Sequence, residues 1–215
     1  MKAFIILLLV FSILSGLGFG ALHETYAPDT VYDIAANSKP TKVTTEVTYN
    51  TMEGDRLTGF YVTKVNGNDT VFEYEYQKLA TPADSLASGE NKRIVDYKGV
   101  ITYHDGVYTT GNQEDWKPGV GTAFDLTFNV KAKFLTDVEF NEDETILTAK
   151  VTPENSVNVF GMDLNAVDDI GLIVETNGVN LTMVTVTYMT QYGEIAIRTS
   201  YTYNVQNLFP EADAE

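Results

Sequence analysis

Residues 170–203 read IGLIVETNGVNLTMVTVTYMTQYGEIAIRTSYTY, and this stretch decides the fold class. Apolar residues alternate with Thr, Glu or Arg through Val184, Val186 and Tyr188 and again through Ile195 and Ile197, the two-residue period of a half-buried strand. Asn177-Gly178 and Gln191-Tyr192-Gly193 interrupt the alternation where hairpin turns are expected. The reading is a three-strand meander, Ile170 to Thr176, Val179 to Met189 and Ile195 to Tyr203. Turns this short force neighbouring strands to run antiparallel.

The same pattern extends upstream. Val43, Val47 and Tyr49 alternate with Lys42, Glu46 and Thr48, and Phe60 and Val62 flank Tyr61 in the next strand before the Asn66-Gly67 turn. Phe72, Tyr74 and Tyr76 alternate with Glu73, Glu75 and Gln77. Val95, Tyr97, Ile101 and Tyr103 lead to a His104-Asp105-Gly106 turn and a return at Val107-Tyr108-Thr109. The longest alternation is Phe124, Leu126, Phe128, Val130, Ala132 and Phe134, which predicts a strand over 124–134. Val138 to Phe140 and Ile146 to Val151 form another hairpin around Asn141 to Glu144. Helical signals are few. Val31, Ile34 and Ala35 at i, i+3 and i+4 predict a short helix ending near Asn37, and Thr152-Pro153-Glu154 opens another toward Phe160-Gly161. About eleven strands result. The predicted fold is all-β dominated: a large curved antiparallel sheet forming a half-barrel, with short helices and the Thr81–Asn91 loop as its lid.

The chain start has a different character. Lys2 precedes an uncharged apolar run from Ala3 to Leu14, and Gly18 and Gly20 fall at −3 and −1 for cleavage before Ala21. Residues 1–20 therefore read as an export signal, with an uncleaved anchor as the alternative. Residues 21–37 hold the leading segment and its helix, 38–205 the β domain and 206–215 an acidic tail. The expected location is extracytoplasmic, either secreted or tethered.

Composition removes whole classes of chemistry. With 215 residues, 44% hydrophobic and 20% charged, the chain has the makings of a globular core. It contains no cysteine, which excludes disulfides, thiolate metal sites, a thiol nucleophile and a lipidated cysteine. Its 14 Lys and Arg against 30 Asp and Glu give a net charge of −16, which argues against nucleic acid, whose phosphates need clustered cations. Of the two histidines, His23 adjoins the export signal and His104 sits at a turn. No G-x-S-x-G, H-E-x-x-H, P-loop or G-x-G-x-x-G motif occurs. Asp163, Asn165, Asp168 and Asp169 resemble a calcium loop only superficially, because Val167 stands at the fifth position and Val174 at the twelfth. Asn68 and Asn180 begin glycosylation sequons. The expectation is a non-enzyme without metal or cofactor.

What is left is the apolar face of the sheet. Phe60, Phe72, Tyr74, Phe124, Leu126, Phe128 and Phe134 are the residues expected to line a cavity there. The succession of export signal, short helix, long strands, Tyr103-His104-Asp105-Gly106-Val107-Tyr108 and Trp116, then the Thr152-Pro153-Glu154 helix and the closing Val184–Tyr188 and Tyr201–Asn204 strand pair, resembles the LolA-like lipoprotein-carrier superfamily with its LppX/LprG-like relatives. That resemblance implies a half-barrel closed by helices, holding acyl chains in an apolar cavity outside the cytoplasm. Two features depart from it: the leading helix is short for a lid, and the lipobox cysteine of the anchored relatives is missing. The expected function is a carrier or sensor for a lipid or other apolar ligand. The alternatives are an envelope scaffold with a filled core and a tyrosine-rich partner surface, and an outer-membrane β-barrel.

Overall fold

Among the described residues, period-two patterning becomes ten strands in a single sheet. The computed structural model describes residues 30–66, 69–80, 93–104, 107–110 and 130–204. Helix α1 (Val31–Asn37) precedes β1 (Lys42–Thr51), β2 (Arg56–Asn66), β3 (Asp69–Leu79), β4 (Ile94–His104) and β5 (Val107–Thr110). After a 3-10 turn at Ala132–Phe134 come β6 (Thr136–Phe140) and β7 (Ile146–Val151). A second 3-10 turn (Pro153–Asn155) runs into α2 (Ser156–Phe160), followed by β8 (Ile170–Thr176), β9 (Leu181–Thr190) and β10 (Gly193–Thr202).

The strand order is β5-β4-β3-β2-β1-β10-β9-β8-β7-β6, all pairs antiparallel. Two meanders thus run outward from a central seam where the first strand meets the last, from Lys42↔Thr202 to Thr51↔Gly193. The sheet is curved and not closed, the half-barrel expected from the sequence. Gly193 lets the seam end tightly. Its φ is 147°, and a Cβ there would lie 2.1 Å from the Asn50 carbonyl oxygen, so no other residue fits without moving backbone.

Register assigns the faces. Val43, Thr45, Val47 and Tyr49 of β1 share one face with Tyr201, Thr199, Ile197 and Ile195 of β10. On that inner face, Leu147, Val151, Ile170, Leu172, Val174 and Val186 are 0% exposed. At about 1.5–3 kcal/mol for each buried aliphatic side chain, this half of the sheet supplies most of the hydrophobic driving force among the described residues. Val31 and Ala35 of α1, Val159 and Phe160 of α2, Val130 and Leu164 complete the cluster, and Phe134 and Leu135 pack against it. Two buried hydroxyls interrupt the aliphatic seam, and Thr45 and Thr199 satisfy each other at 3.2 Å.

The structure corrects two expectations. The strand predicted over 124–134 does not form in its described part: Val130 and Lys131 are irregular, and Ala132–Phe134 is a 3-10 turn. Val130 is 2% exposed and sits in the core cluster, so burial rather than pairing fixes this segment. Phe124, Leu126 and Phe128 lie outside the described residues. The second correction is Phe60, expected on the same face as Phe72 and Tyr74. Pairing puts Phe60 opposite Glu46 and Glu75 on the outer face, where it is 45% exposed, and puts Tyr61 opposite Thr45 and Tyr74 on the inner one. β2 is apolar on both alternating sets, with Val62 buried on the outer face, so alternation alone had no sign to read.

Candidate functional site

The inner face of β2, β3 and β4 carries rings instead of aliphatic chains. Register aligns Tyr61 with Tyr74, and Tyr76 with both Gly59 and Tyr97. Tyr61 stacks diagonally on Phe72 and Tyr76 at 6.2 and 6.3 Å, with interplanar angles of 19° and 16°. Tyr76 stacks on Tyr97 at 5.3 Å and 13°. Tyr74 lies between Phe72 and Tyr76 at 5.9 and 6.0 Å and folds over Gly99, where an added Cβ would come within 2.4 Å of its hydroxyl. Gly59 makes the same room for Tyr61. Rings pairing at these distances contribute about 0.5–1.5 kcal/mol each beyond their buried area. These ring contacts help hold the strip, with Tyr74 buried and Phe72, Tyr76 and Tyr97 half-buried. Burial, reinforced by the neighbouring Tyr76, pushes the Tyr61 hydroxyl up to about 12, so it keeps its proton at physiological pH.

Between this strip and the aliphatic core lies a cleft of about 960 Å³. One wall is the loop from Met162 to Val167, and the other is the β9–β10 turn at Gln191 and Tyr192. Tyr49 and Ile195 form its floor and also line a smaller hollow of about 180 Å³ that continues to Tyr61 and Tyr76. The space therefore crosses β10, β1 and β2 toward the aromatic strip.

Local chemistry fixes both walls. Leu164 is buried in the core, and the Val167 N–H donates to the Met189 carbonyl at 2.9 Å. The Asp163 carboxylate accepts the Asn165 N–H at 2.8 Å, and Asn165 takes a left-handed φ of 53°, which Asn tolerates better than most residues. On the far side, the Tyr49 hydroxyl donates to the Tyr192 carbonyl at 3.0 Å and the Met52 N–H donates to the same oxygen at 2.9 Å. The Thr190 hydroxyl donates to the Gly193 carbonyl at 3.0 Å. These hydrogen bonds within the chain tie both walls to the sheet.

Of the residues expected to line a cavity, Phe72 and Tyr74 belong to the strip. Phe60 faces away, beside Glu73, Glu75 and Lys98 in a shallow outer hollow. Phe134 packs against the aliphatic core from its 3-10 turn. Tyr61, Tyr76, Tyr97, Tyr49 and Tyr188 were missed. Tyr76 and Tyr188 each continue a period-two apolar face, through Phe72 and Tyr74 and through Val184 and Val186, and that signal would have found both. Tyr49 and Tyr61 needed the register. Among the described residues no group of three or more His, Cys, Asp or Glu is placed to hold a metal ion.

The cleft therefore has aromatic and aliphatic walls and a few fixed polar atoms. No protein-family model matches the chain, and no curated protein matches it either.

Proposed function

We propose that this protein is an exported, non-enzymatic carrier or sensor that binds a lipid or other apolar ligand on the inner face of its half-barrel. The observation carrying the reading is the 960 Å³ cleft, which has aromatic and aliphatic walls and lies within the usual 300–1,000 Å³ of small-molecule sites. Its walls are preformed, so binding does not have to order them, and each methylene removed from water contributes about 0.8 kcal/mol. The ligand lies across the strand ends, from the Met162–Val167 loop over Tyr49 and Ile195 toward Tyr76. It does not lie under the helices, where the aliphatic core is filled. The apolar run after Lys2 supports export, and the resemblance to the LolA-like carriers supports an acyl-bearing ligand.

The test is native mass spectrometry of the purified chain together with titration of a neutral fluorescent probe, N-phenylnaphthylamine. The expected result is a co-purified lipid and saturable one-to-one probe binding. Ala166→Trp, which fills the cleft from its loop wall, should abolish both while leaving the unfolding midpoint in place. Absence of saturable binding, or binding indifferent to Ala166→Trp, overturns the reading.

A further inference from the structure

Tyr188 is the side chain in the cleft that the fold itself leaves incomplete. Its ring is 4% exposed and packed in the aliphatic core, yet the residue lines the cleft and its hydroxyl makes no hydrogen bond to any described residue. Two half-buried tyrosines do find a partner in the chain: Tyr49 donates to the Tyr192 carbonyl at 3.0 Å and Tyr203 to the Leu181 carbonyl at 2.7 Å. Burial pushes the Tyr188 hydroxyl up to about 12, so at neutral pH it keeps its proton and can donate it in a hydrogen bond.

The charge around this donor is one-sided. The described residues lining the cleft include no Lys, Arg or His, and among them Asp163 provides the one formal charge, on a chain carrying −16 in all. A carboxylate head group would shed its hydration without a counter-charge among the described lining residues, which raises its cost. An ammonium head group would be attracted to Asp163, but that side chain is exposed and screened by water, so the attraction does not repay stripping the cation of its hydration. An uncharged head group escapes both costs. Its ester or hydroxyl oxygen needs only a donor, and Tyr188 presents one.

We infer that the cleft selects an uncharged amphiphile, such as a monoacylglycerol or related neutral ester, whose head-group oxygen accepts a hydrogen bond from the Tyr188 hydroxyl while its chain runs over Tyr49 and Ile195. The inference rests on the apolar-ligand reading above and adds the head-group class and its anchor.

Three probes of equal chain length separate the outcomes when titrated calorimetrically into the full chain at neutral pH: monododecanoylglycerol, dodecanoate and dodecylammonium. Monododecanoylglycerol should bind at least about tenfold more tightly than either charged probe. Tyr188→Phe keeps the ring and removes only the donor. It should weaken monododecanoylglycerol about three- to tenfold more than it weakens N-phenylnaphthylamine, the range of one net hydrogen bond, and leave the unfolding midpoint unchanged. Dodecanoate or dodecylammonium binding as tightly as the glyceride overturns the inference, and so does a Tyr188→Phe variant that binds the glyceride normally. N-phenylnaphthylamine binding without head-group discrimination sinks the inference and leaves the apolar-ligand reading standing. Failure of the neutral probe itself sinks both.

Discussion

The two halves of one sheet face are built on different principles. Over β7 to β10, aliphatic side chains such as Leu147, Leu172 and Val174 are fully buried because α1, Val130, α2 and Leu164 lie against them. Over β2 to β4, the same inner face carries Tyr61, Phe72, Tyr74, Tyr76 and Tyr97, which shield one another. A valine or leucine stands up from the sheet and needs a second layer to remove it from water. A tyrosine is long enough to lie across its neighbour and to keep its polar tip accessible. Aliphatic packing thus gives a rigid, filled core, whereas aromatic self-packing gives a surface that is stable while still open to a ligand. The cleft sits at the boundary, with Tyr188 and Ile195 on the aliphatic side and Tyr61 and Tyr76 on the aromatic side.

The contrast can be broken most directly by truncation. Leu172→Ala removes a side chain that is 0% exposed between Ala149 and Val186, and should cost about 2–5 kcal/mol. Tyr97→Ala, losing one stacked partner from a half-buried site, should cost less than about 2 kcal/mol. Urea unfolding midpoints compare the two, and equal losses would mean that the aromatic strip carries the fold as fully as the core does.

A smaller effect tests whether the strip depends on missing side chains. Gly99→Ala places a Cβ 2.4 Å from the Tyr74 hydroxyl and 2.6 Å from its Cζ, against a ring already confined by Phe72 and Tyr76. The expected loss is about 1–3 kcal/mol. Tyr74→Ala in the same chain should make Gly99→Ala nearly neutral, and additive losses in that double-mutant cycle would refute the packing account.

Smallest of all is the alkaline titration, which sharpens the comparison. Burial holds Tyr61 in the strip and Tyr188 in the core at about 12, against an ordinary 10.0. Between about pH 10 and about pH 12 the unfolded chain sheds protons that the folded chain keeps. Stability linked to these two groups is complete below pH 10 and lost as pH rises through that window. Phenolate absorbance should show both tyrosines ionising after the exposed ones, and Tyr61→Phe and Tyr188→Phe should each remove one late step. If Tyr61 titrates with the exposed tyrosines, the strip is more open to water than its stacking implies.

Legibility in the sequence followed the range of the interactions involved. The α1 helix was readable from Val31, Ile34 and Ala35, because an amphipathic turn is a local pattern. The β8–β9 turn was readable from Asn177-Gly178: Gly178 takes a φ of 84°, and the Asn177 side chain accepts the Asn180 N–H at 2.8 Å. Phe134 misled because the described end of that alternation, Val130 to Phe134, buries Val130 in the core without pairing it. Phe60 misled because both faces of β2 are apolar. The cleft was illegible as a site, since its walls come from the 162–167 loop, β1, β9 and β10, which the chain brings together only after folding.

Sequence by itself determined the β class, the hairpin turns, the short helices and the absence of thiol chemistry, because period, turn residues and composition act over a few neighbouring positions. Tertiary structure decided the rest. It joined the first strand to the last, from Lys42↔Thr202 to Thr51↔Gly193, turned Tyr61 inward and Phe60 outward, and set Tyr188 in the lining of the cleft. Those outcomes depend on register between strands up to about 160 residues apart, and a two-residue period cannot say which of two apolar sets faces in until a neighbouring strand fixes the pairing.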